Sequence, residues 1–119
     1  MSCDWCNYDL KLVYPNFEGY AVLNGYGEPI GNYCCSINCC VSQITKLGHQ
    51  VDIRLEQLYY YYNISGNVKP ARDRKLLSKF GGNLSYSQFR AGFTCPPPIY
   101  EEKYEEYDDY EFDDGDPYR

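Results

Sequence analysis

The sequence is poor in the residues and motifs that most enzymes use. It contains one histidine, His49, among 119 residues, so a Ser/His or Cys/His nucleophile pair would have to use this side chain. His49 follows the end of a predicted helix, where an imidazolium is favoured by the helix dipole, and this simpler role accounts for it. The phosphate-binding patterns GxxxxGK(S/T) and GxGxxG do not occur. We therefore expect a protein that is not an enzyme.

Long apolar runs are also missing. No segment approaches the roughly 18 apolar residues of a membrane-spanning helix, and the longest aromatic run, residues 58–62, is short and carries hydroxyl groups. We therefore expect no membrane span. No apolar signal segment precedes the first cysteine, so we expect an intracellular protein whose cysteines are not paired as disulfides.

Cysteine is abundant, with seven residues. Cys3 and Cys6 form a CxxC pair, and Cys35 and Cys39 form a CxxxC pair after 28 intervening residues. A CxxC turn presents two sulfurs from one tight knuckle, and residues four apart at a helix start share one face. Four thiolates at tetrahedral angles suit zinc and leave no position for water or substrate. The spacing predicts one structural zinc site, and buried thiols or disulfides are the alternative.

The neighbouring cysteines leave the register of the second pair open. Cys34 and Cys40 flank it directly. If Cys35 and Cys39 are the ligand pair, Ser36 is free to cap the following helix. The other pairings place the cap less favourably.

The first half of the sequence predicts a hairpin and a helix. Strand-forming residues alternate over 8–14, and residues 20–23 are typical of the returning strand. Glycines and a proline follow at residues 24–29, which is turn chemistry. Ser36 then caps a helix that Gly48 ends. Its apolar positions recur at helical spacing: Ile37, Val41, Ile44 and Leu47.

The second half predicts shorter elements. Residues 51–62 favour a second helix, although the tyrosines also allow a strand over 58–63. Pro70 can open a short helix that runs to Phe80 and stops at the following glycines. The sequence Ser-Tyr-Ser-Gln at 85–88 is a capping box for one further turn. Three prolines at 96–98 form a stiff, extended spacer.

These patterns predict a small α+β zinc-bound domain. A treble-clef arrangement of knuckle, hairpin and helix is followed by short helices and an acidic tail. We divide the chain into a zinc finger with its following helix (1–65), a basic helical segment (66–95), and a proline-rich spacer with an acidic, tyrosine-rich tail (96–119). A core of about 60 residues buries little surface, so a metal would add needed stability.

The cysteine-containing segments resemble a known family. Cys-Asp-Trp-Cys-Asn-Tyr-Asp-Leu at 3–10, followed by Gly-Asn-Tyr-Cys-Cys-Ser-Ile-Asn-Cys at 31–39, resembles the FCS-type zinc finger. More narrowly, it is similar to the late transcription factor two family of poxviruses and other large DNA viruses. The resemblance covers about residues 3–90 and implies zinc ligation by Cys3, Cys6, Cys35 and Cys39. Cys34 stands where that family usually has phenylalanine.

The resemblance implies a role in an infected host cell, in the viral factory or the nucleus. The expected partners are other viral proteins of the transcription machinery. The alternative is a structural or adaptor protein of the virion, such as a minor capsid or scaffold component, that is packaged in the particle.

The charge distribution suggests where such partners bind. The net charge is −6, but residues 66–99 carry six basic and one acidic side chain, a net charge of +5. The candidate contacts to DNA or polymerase are Lys69, Arg72, Arg74, Lys75 and Lys79. Clusters of this kind neutralise phosphates without reading sequence, so DNA contact through residues 69–90 is one interpretation. A solvated helix face is the other.

The C-terminal tail has the opposite charge. Residues 100–119 hold ten acidic and two basic side chains, a net charge of −8, and six aromatic rings. The rings Tyr100, Tyr104, Tyr107 and Phe112 are candidates for docking onto another protein, because aromatic groups supply contact area while the acids steer toward a basic surface. A disordered, solubilising tail is the alternative.

Overall fold

The computed structural model describes residues 1–97. Two strands and three α-helices, together with three single 3-10 turns, form a small α+β fold, as the sequence predicts. The helices and strands are β1 (Tyr20–Leu23), β2 (Pro29–Cys34), α1 (Ile37–Leu47), α2 (Val51–Tyr61) and α3 (Tyr86–Phe89). No helix within residues 1–97 combines the length and apolar character that crossing a bilayer requires.

An antiparallel hairpin delivers the second cysteine pair to its place. Strands β1 and β2 pair in a register that sets Tyr20 opposite Cys34. The turn between them is organised by Asn24, whose side-chain oxygen accepts hydrogen bonds from the backbone N–H groups of Tyr26 (2.8 Å) and Glu28 (3.0 Å). All four residues of β1 are buried, so the hairpin packs firmly where Cys35 follows.

The hairpin differs from the predicted one. Residues 8–14 do not form a strand, and β1 pairs with β2 instead. Asp9 accepts a hydrogen bond from the backbone N–H of Lys11 (3.0 Å) and caps the 3-10 turn Leu10–Leu12. Only an isolated bridge joins Ser2 to Asp9. The local capping interaction therefore prevails over the alternating pattern.

Helix α1 follows its sequence signals closely. The Ser36 hydroxyl accepts a hydrogen bond from the Cys39 N–H at 3.1 Å, and Gly48 ends the helix in the left-handed conformation, with φ 69°. Ile37, Val41 and Ile44 are buried as predicted, whereas Leu47 in the last turn is 51 % exposed. Burying each such side chain contributes about 1.5–3 kcal/mol.

Helix α2 is held by a buried arginine. The helix continues to Tyr61, so the strand alternative for residues 58–63 is wrong. Arg54 is only 5 % exposed, and its Nε donates to the Leu23 carbonyl at 2.8 Å while its Nη1 donates to the His49 carbonyl at 3.3 Å. The arginine thus satisfies backbone carbonyls of the hairpin and of the loop between the two helices.

The predicted helix from Pro70 to Phe80 is wrong. Two separate 3-10 turns, Arg74–Leu76 and Ser78–Phe80, occupy part of it. The chain before them is tied to α1 instead, because the Asn38 carbonyl accepts from the Ala71 N–H (3.0 Å) and the Ser42 hydroxyl donates to the Ala71 carbonyl (2.7 Å). Backbone groups used in this way are not free to form helical hydrogen bonds.

The C-terminal part of residues 1–97 returns to the start of α1. Ser85 and Gln88 form the predicted capping box of α3, and Phe89 is buried. The Thr94 carbonyl then accepts from the Ile37 N–H at 2.9 Å, and the Thr94 N–H donates to the Asn38 side chain at 2.6 Å. This segment therefore satisfies an N–H group at the first turn of α1, which no residue of the helix itself can bond.

Candidate metal centre

Four buried cysteines converge at one point. Cys3, Cys6, Cys35 and Cys39 each place a sulfur within 4.8 Å of the other three. The Sγ atoms of Cys6 and Cys35 are 3.6 Å apart, those of Cys35 and Cys39 are 3.8 Å apart, and those of Cys39 and Cys6 are 4.0 Å apart. The four sulfurs can hold a metal ion.

The spacing of the sulfurs fits a tetrahedral ion. Zinc–sulfur bonds of about 2.3 Å at tetrahedral angles place the sulfurs about 3.8 Å from one another. The three distances above, among Cys6, Cys35 and Cys39, bracket this value, and the Cys3 sulfur lies within 4.8 Å of each of these three. The cluster is compatible with zinc, and its soft, all-sulfur donor set disfavours the hard cations Ca²⁺ and Mg²⁺, which prefer oxygen.

The knuckle shapes the first half of the cluster. Cys3 Sγ accepts hydrogen bonds from the backbone N–H groups of Trp5 (3.3 Å) and Cys6 (3.4 Å). Asn7 takes a positive φ of 65° and donates its N–H to the Cys3 carbonyl at 2.9 Å. Asparagine tolerates this conformation better than most residues. The N–H groups of Trp5 and Cys6, which bond the Cys3 sulfur, favour a thiolate over a thiol, because they stabilise negative charge on that sulfur.

The start of α1 supplies the second half. Cys35 precedes the capping residue Ser36, and Cys39 lies in the first turn of the helix. The aligned peptide dipoles of a helix favour negative charge near its N-terminus. The helix dipole therefore stabilises the two thiolates that this end of α1 presents.

Protons and a metal compete for these sulfurs. Interactions with neighbouring thiols, that of Cys34 above all, hold the pKa of Cys3 far below its usual value. The pKa of Cys39 is held far above its usual value, chiefly by its interaction with the sulfur of Cys3. A divalent cation that displaces these protons would let all four sulfurs ionise. Metal binding therefore releases protons and weakens on acidification.

The three remaining cysteines have other partners. The proximity of Cys3 is the main cause that raises the pKa of Cys34 above its usual value. Cys40 Sγ donates to the Tyr20 carbonyl at 3.3 Å. Cys95 Sγ lies 3.5 Å from the Cys35 carbonyl. Cys34 and Cys40 are therefore neighbours of the cluster in the hairpin and helix, and Cys35 and Cys39 are the pair whose sulfurs join it.

An arginine lies beside the cysteine cluster, and sequence reasoning missed it. Arg90 Nη2 donates to the Cys35 carbonyl at 3.1 Å and to Cys95 Sγ at 3.4 Å. Its guanidinium lies 4.3 Å from the ring centroid of Tyr8. Burial opposes its charge, but the sulfurs of Cys35 and Cys95 raise the pKa of Arg90 above its usual value. A divalent ion with four thiolates carries a charge of about −2, which Arg90 partly offsets.

Tyr86 ties α3 to the knuckle from the same side. Its hydroxyl donates to the Cys6 carbonyl at 2.7 Å, and its ring packs on Tyr8 with centroids 5.0 Å apart. The capping box predicted the turn that contains Tyr86, but no local signal indicates that the turn packs on residues 80 positions earlier.

The other predicted site residues lie on the surface or beyond the described chain. The five candidate contact residues of the basic segment are all exposed: Lys69, Arg72, Arg74, Lys75 and Lys79. His49 is exposed as well. The tail residues Tyr100, Tyr104, Tyr107 and Phe112 lie outside residues 1–97, so tail docking stays a prediction.

Comparison of the chain with protein-family models, with curated proteins and with solved structures finds no significant match.

The ligand register is tested by two adjacent substitutions. We expect Cys35→Ser to lose the metal and unfold residues 1–65, because a serine hydroxyl does not ionise at neutral pH and a structural zinc contributes on the order of 10 kcal/mol. Cys34→Ser should retain one metal equivalent. Metal content by mass spectrometry and far-ultraviolet circular dichroism measure both effects. The reverse outcome would show that Cys34 is the ligand.

The charge of Arg90 should strengthen metal binding. We expect Arg90→Met to weaken affinity for Zn²⁺ by about 10- to 100-fold, as for other residues that support metal ligands. Arg90→Lys should recover part of the loss, because it keeps the charge. Competition with a chromophoric chelator measures the affinity. Arg72→Met, at an exposed position, is the control, and equal affinities for the Arg90→Met and Arg72→Met variants would contradict this role.

Proposed function

We propose that the chain is a zinc-stabilised, non-catalytic binding protein that acts in late transcription of a large DNA virus. The observation that carries the proposal is the four-sulfur cluster built from a CxxC knuckle and the start of the helix after a hairpin. This order of parts supports a treble clef of the FCS type. The motifs at 3–10 and 31–39 support the narrower relation to viral late transcription factors.

The proposed metal is zinc in a structural role. Four thiolates fill a tetrahedral shell, and a filled shell has no position at which water or a substrate can be activated. The imidazole of His49, the single histidine, is exposed, whereas these four cysteines are buried. A protein of this kind acts by binding, and we propose no reaction for it.

The basic segment is the proposed contact to DNA or to the viral polymerase. Five of its six basic side chains, those from Lys69 to Lys79, lie within eleven residues and are exposed. The two 3-10 turns hold this stretch in a defined shape, because Asp73 caps the first of them through the Lys75 N–H at 2.9 Å. Cations on a segment of defined shape bind phosphates with a smaller loss of backbone conformational entropy than cations on a flexible segment.

One observation favours the adaptor alternative. Tyr26 in the hairpin turn and Tyr60 on α2 are 86 % and 87 % exposed. Tyrosine is enriched where proteins meet, since it combines a large apolar ring with a polar group. Such surfaces would suit a virion component that joins capsid proteins. The transcription proposal places the chain in the viral factory or nucleus, whereas the adaptor alternative places it in the particle.

Replacement of Arg72, Arg74 and Lys75 by glutamate tests the transcriptional role. We expect the triple variant to lose recruitment to late promoters, measured by chromatin immunoprecipitation from infected cells. Its association with duplex DNA or polymerase should also become less salt-dependent, by up to about 0.9 in the logarithmic slope for each lost phosphate contact on DNA.

Lys11→Glu is the matched control, because Lys11 is an exposed cation outside the basic segment. Both variants should keep full zinc content. Unchanged recruitment of the triple variant would rule out the transcriptional role of the segment. Recovery of the protein in purified virions, without any association with promoters, would favour the adaptor.

A further inference from the structure

The surface beside the knuckle contains two adjacent hollows that the sequence did not predict. Their volumes are about 380 and 390 Å³. Both are lined by Trp5, Lys46 and Arg74, and Lys75 also lines the first. An indole ring therefore lies between two concave surfaces, and each of them carries basic side chains. We call these two hollows the Trp5 groove.

The indole ring is fixed in place. Its Nε1–H donates to the Arg72 carbonyl at 2.9 Å, and the backbone of Trp5 belongs to the knuckle between Cys3 and Cys6. The ring is nevertheless partly exposed. An aromatic face held in this way loses little conformational entropy when a flat ligand stacks on it. Trp5 packs against the hydrophobic core on one side and lines the two open hollows on the other.

The charged side chains on the Trp5 groove sum to +1, because Lys46, Arg74 and Lys75 line it together with Asp4 and Asp73. The Lys46 ammonium lies over the indole ring, 5.8 Å from its centroid, so this flexible side chain has to move aside for a base to stack on that face. Both carboxylates accept backbone hydrogen bonds: Asp4 from the Tyr33 N–H at 2.8 Å and Asp73 from the Lys75 N–H at 2.9 Å. The ammonium and guanidinium groups are exposed and able to meet an anionic ligand.

We propose that the Trp5 groove binds single-stranded nucleic acid, with one base stacked on Trp5 and the flanking phosphates held by Lys46 and Arg74. A nucleotide strand places a phosphate on either side of each base, and two basic side chains, those of Lys46 and Arg74, border both hollows that Trp5 lines. Fixed aromatic rings combined with basic grooves are the usual means of binding single strands without sequence preference. An acidic peptide supplies charge but not this regular alternation. The inference rests on the proposed function and specifies its ligand.

Trp5 itself reports on the binding. It is the only tryptophan in the chain, so fluorescence excited at the red edge of its absorption comes from this ring alone. We expect titration of the zinc-loaded full chain with oligodeoxythymidylate to quench this fluorescence in a saturable manner, because a stacked base lies against the indole. A labelled oligonucleotide gives the affinity independently by fluorescence anisotropy.

Two substitutions outside the basic segment separate stacking from charge. Trp5→Ala should weaken binding at least about fivefold, the lower end of the effect of removing one stacking ring. Lys46→Gln should lower the logarithmic salt dependence by about 0.7, the value for one phosphate contact on a single strand. The controls are Tyr26→Ala and Lys11→Gln, which change an exposed ring and an exposed cation elsewhere. Zinc content confirms that each variant is folded.

The outcomes distinguish this inference from the proposed function. Oligonucleotide binding without quenching, or binding by Trp5→Ala as tight as by the control variants, would overturn the inference and leave recruitment to late promoters untouched. Stronger quenching by a tyrosine-rich acidic peptide, with displacement of the oligonucleotide, would overturn it as well and identify the groove as a peptide site. Unaltered recruitment of the Arg72, Arg74 and Lys75 variant would instead overturn the proposed function.

Discussion

The convergence of four cysteine sulfurs is the constraint on which the rest of this structure depends. A knuckle of a few residues, a two-stranded hairpin and an eleven-residue helix bury little surface on their own, and isolated elements of this size are marginal in water. Joining Cys3 and Cys6 to Cys35 and Cys39 fixes the knuckle against the helix start. A metal bound there would supply stability that the small core lacks.

Residues 86–94 also hold the two cysteine-containing segments in place. Tyr86 holds the Cys6 carbonyl, Arg90 holds the Cys35 carbonyl, and Thr94 pairs with the first turn of α1. Each contact ends on a cysteine of the cluster or on helix α1, which carries Cys39. Because the knuckle is fixed in this way, Trp5 is fixed as well, and the same arrangement that stabilises the fold also positions a partly exposed aromatic ring beside a basic surface.

Features set by neighbouring residues could be predicted from the sequence. The Ser36 cap, the Gly48 terminus and the capping box at Ser85 each depend on residues within a few positions, and the structure confirms all three. The cysteine spacing likewise identified the four residues that come together. These signals are local because a cap or a knuckle is completed by one short stretch of chain.

Features set by distant residues could not be predicted. Residues 8–14 carry a strand pattern, yet Asp9 caps a turn there and β1 pairs with β2 instead. Residues 70–80 carry helix signals, yet Asn38 and Ser42 of α1 hold the backbone at Ala71. The positions of Arg90 and Trp5 depend in the same way on contacts across 55 and 67 residues of sequence. Propensity ranks local conformations only, and tertiary hydrogen bonds of this kind override it.

The most direct test of the account is X-ray absorption spectroscopy at the zinc edge on the purified full chain. The account predicts one zinc ion with four sulfur neighbours at about 2.3 Å and no nitrogen or oxygen neighbour in the first shell. A folded protein without zinc, or a shell in which nitrogen or oxygen replaces one of the sulfurs, would contradict it.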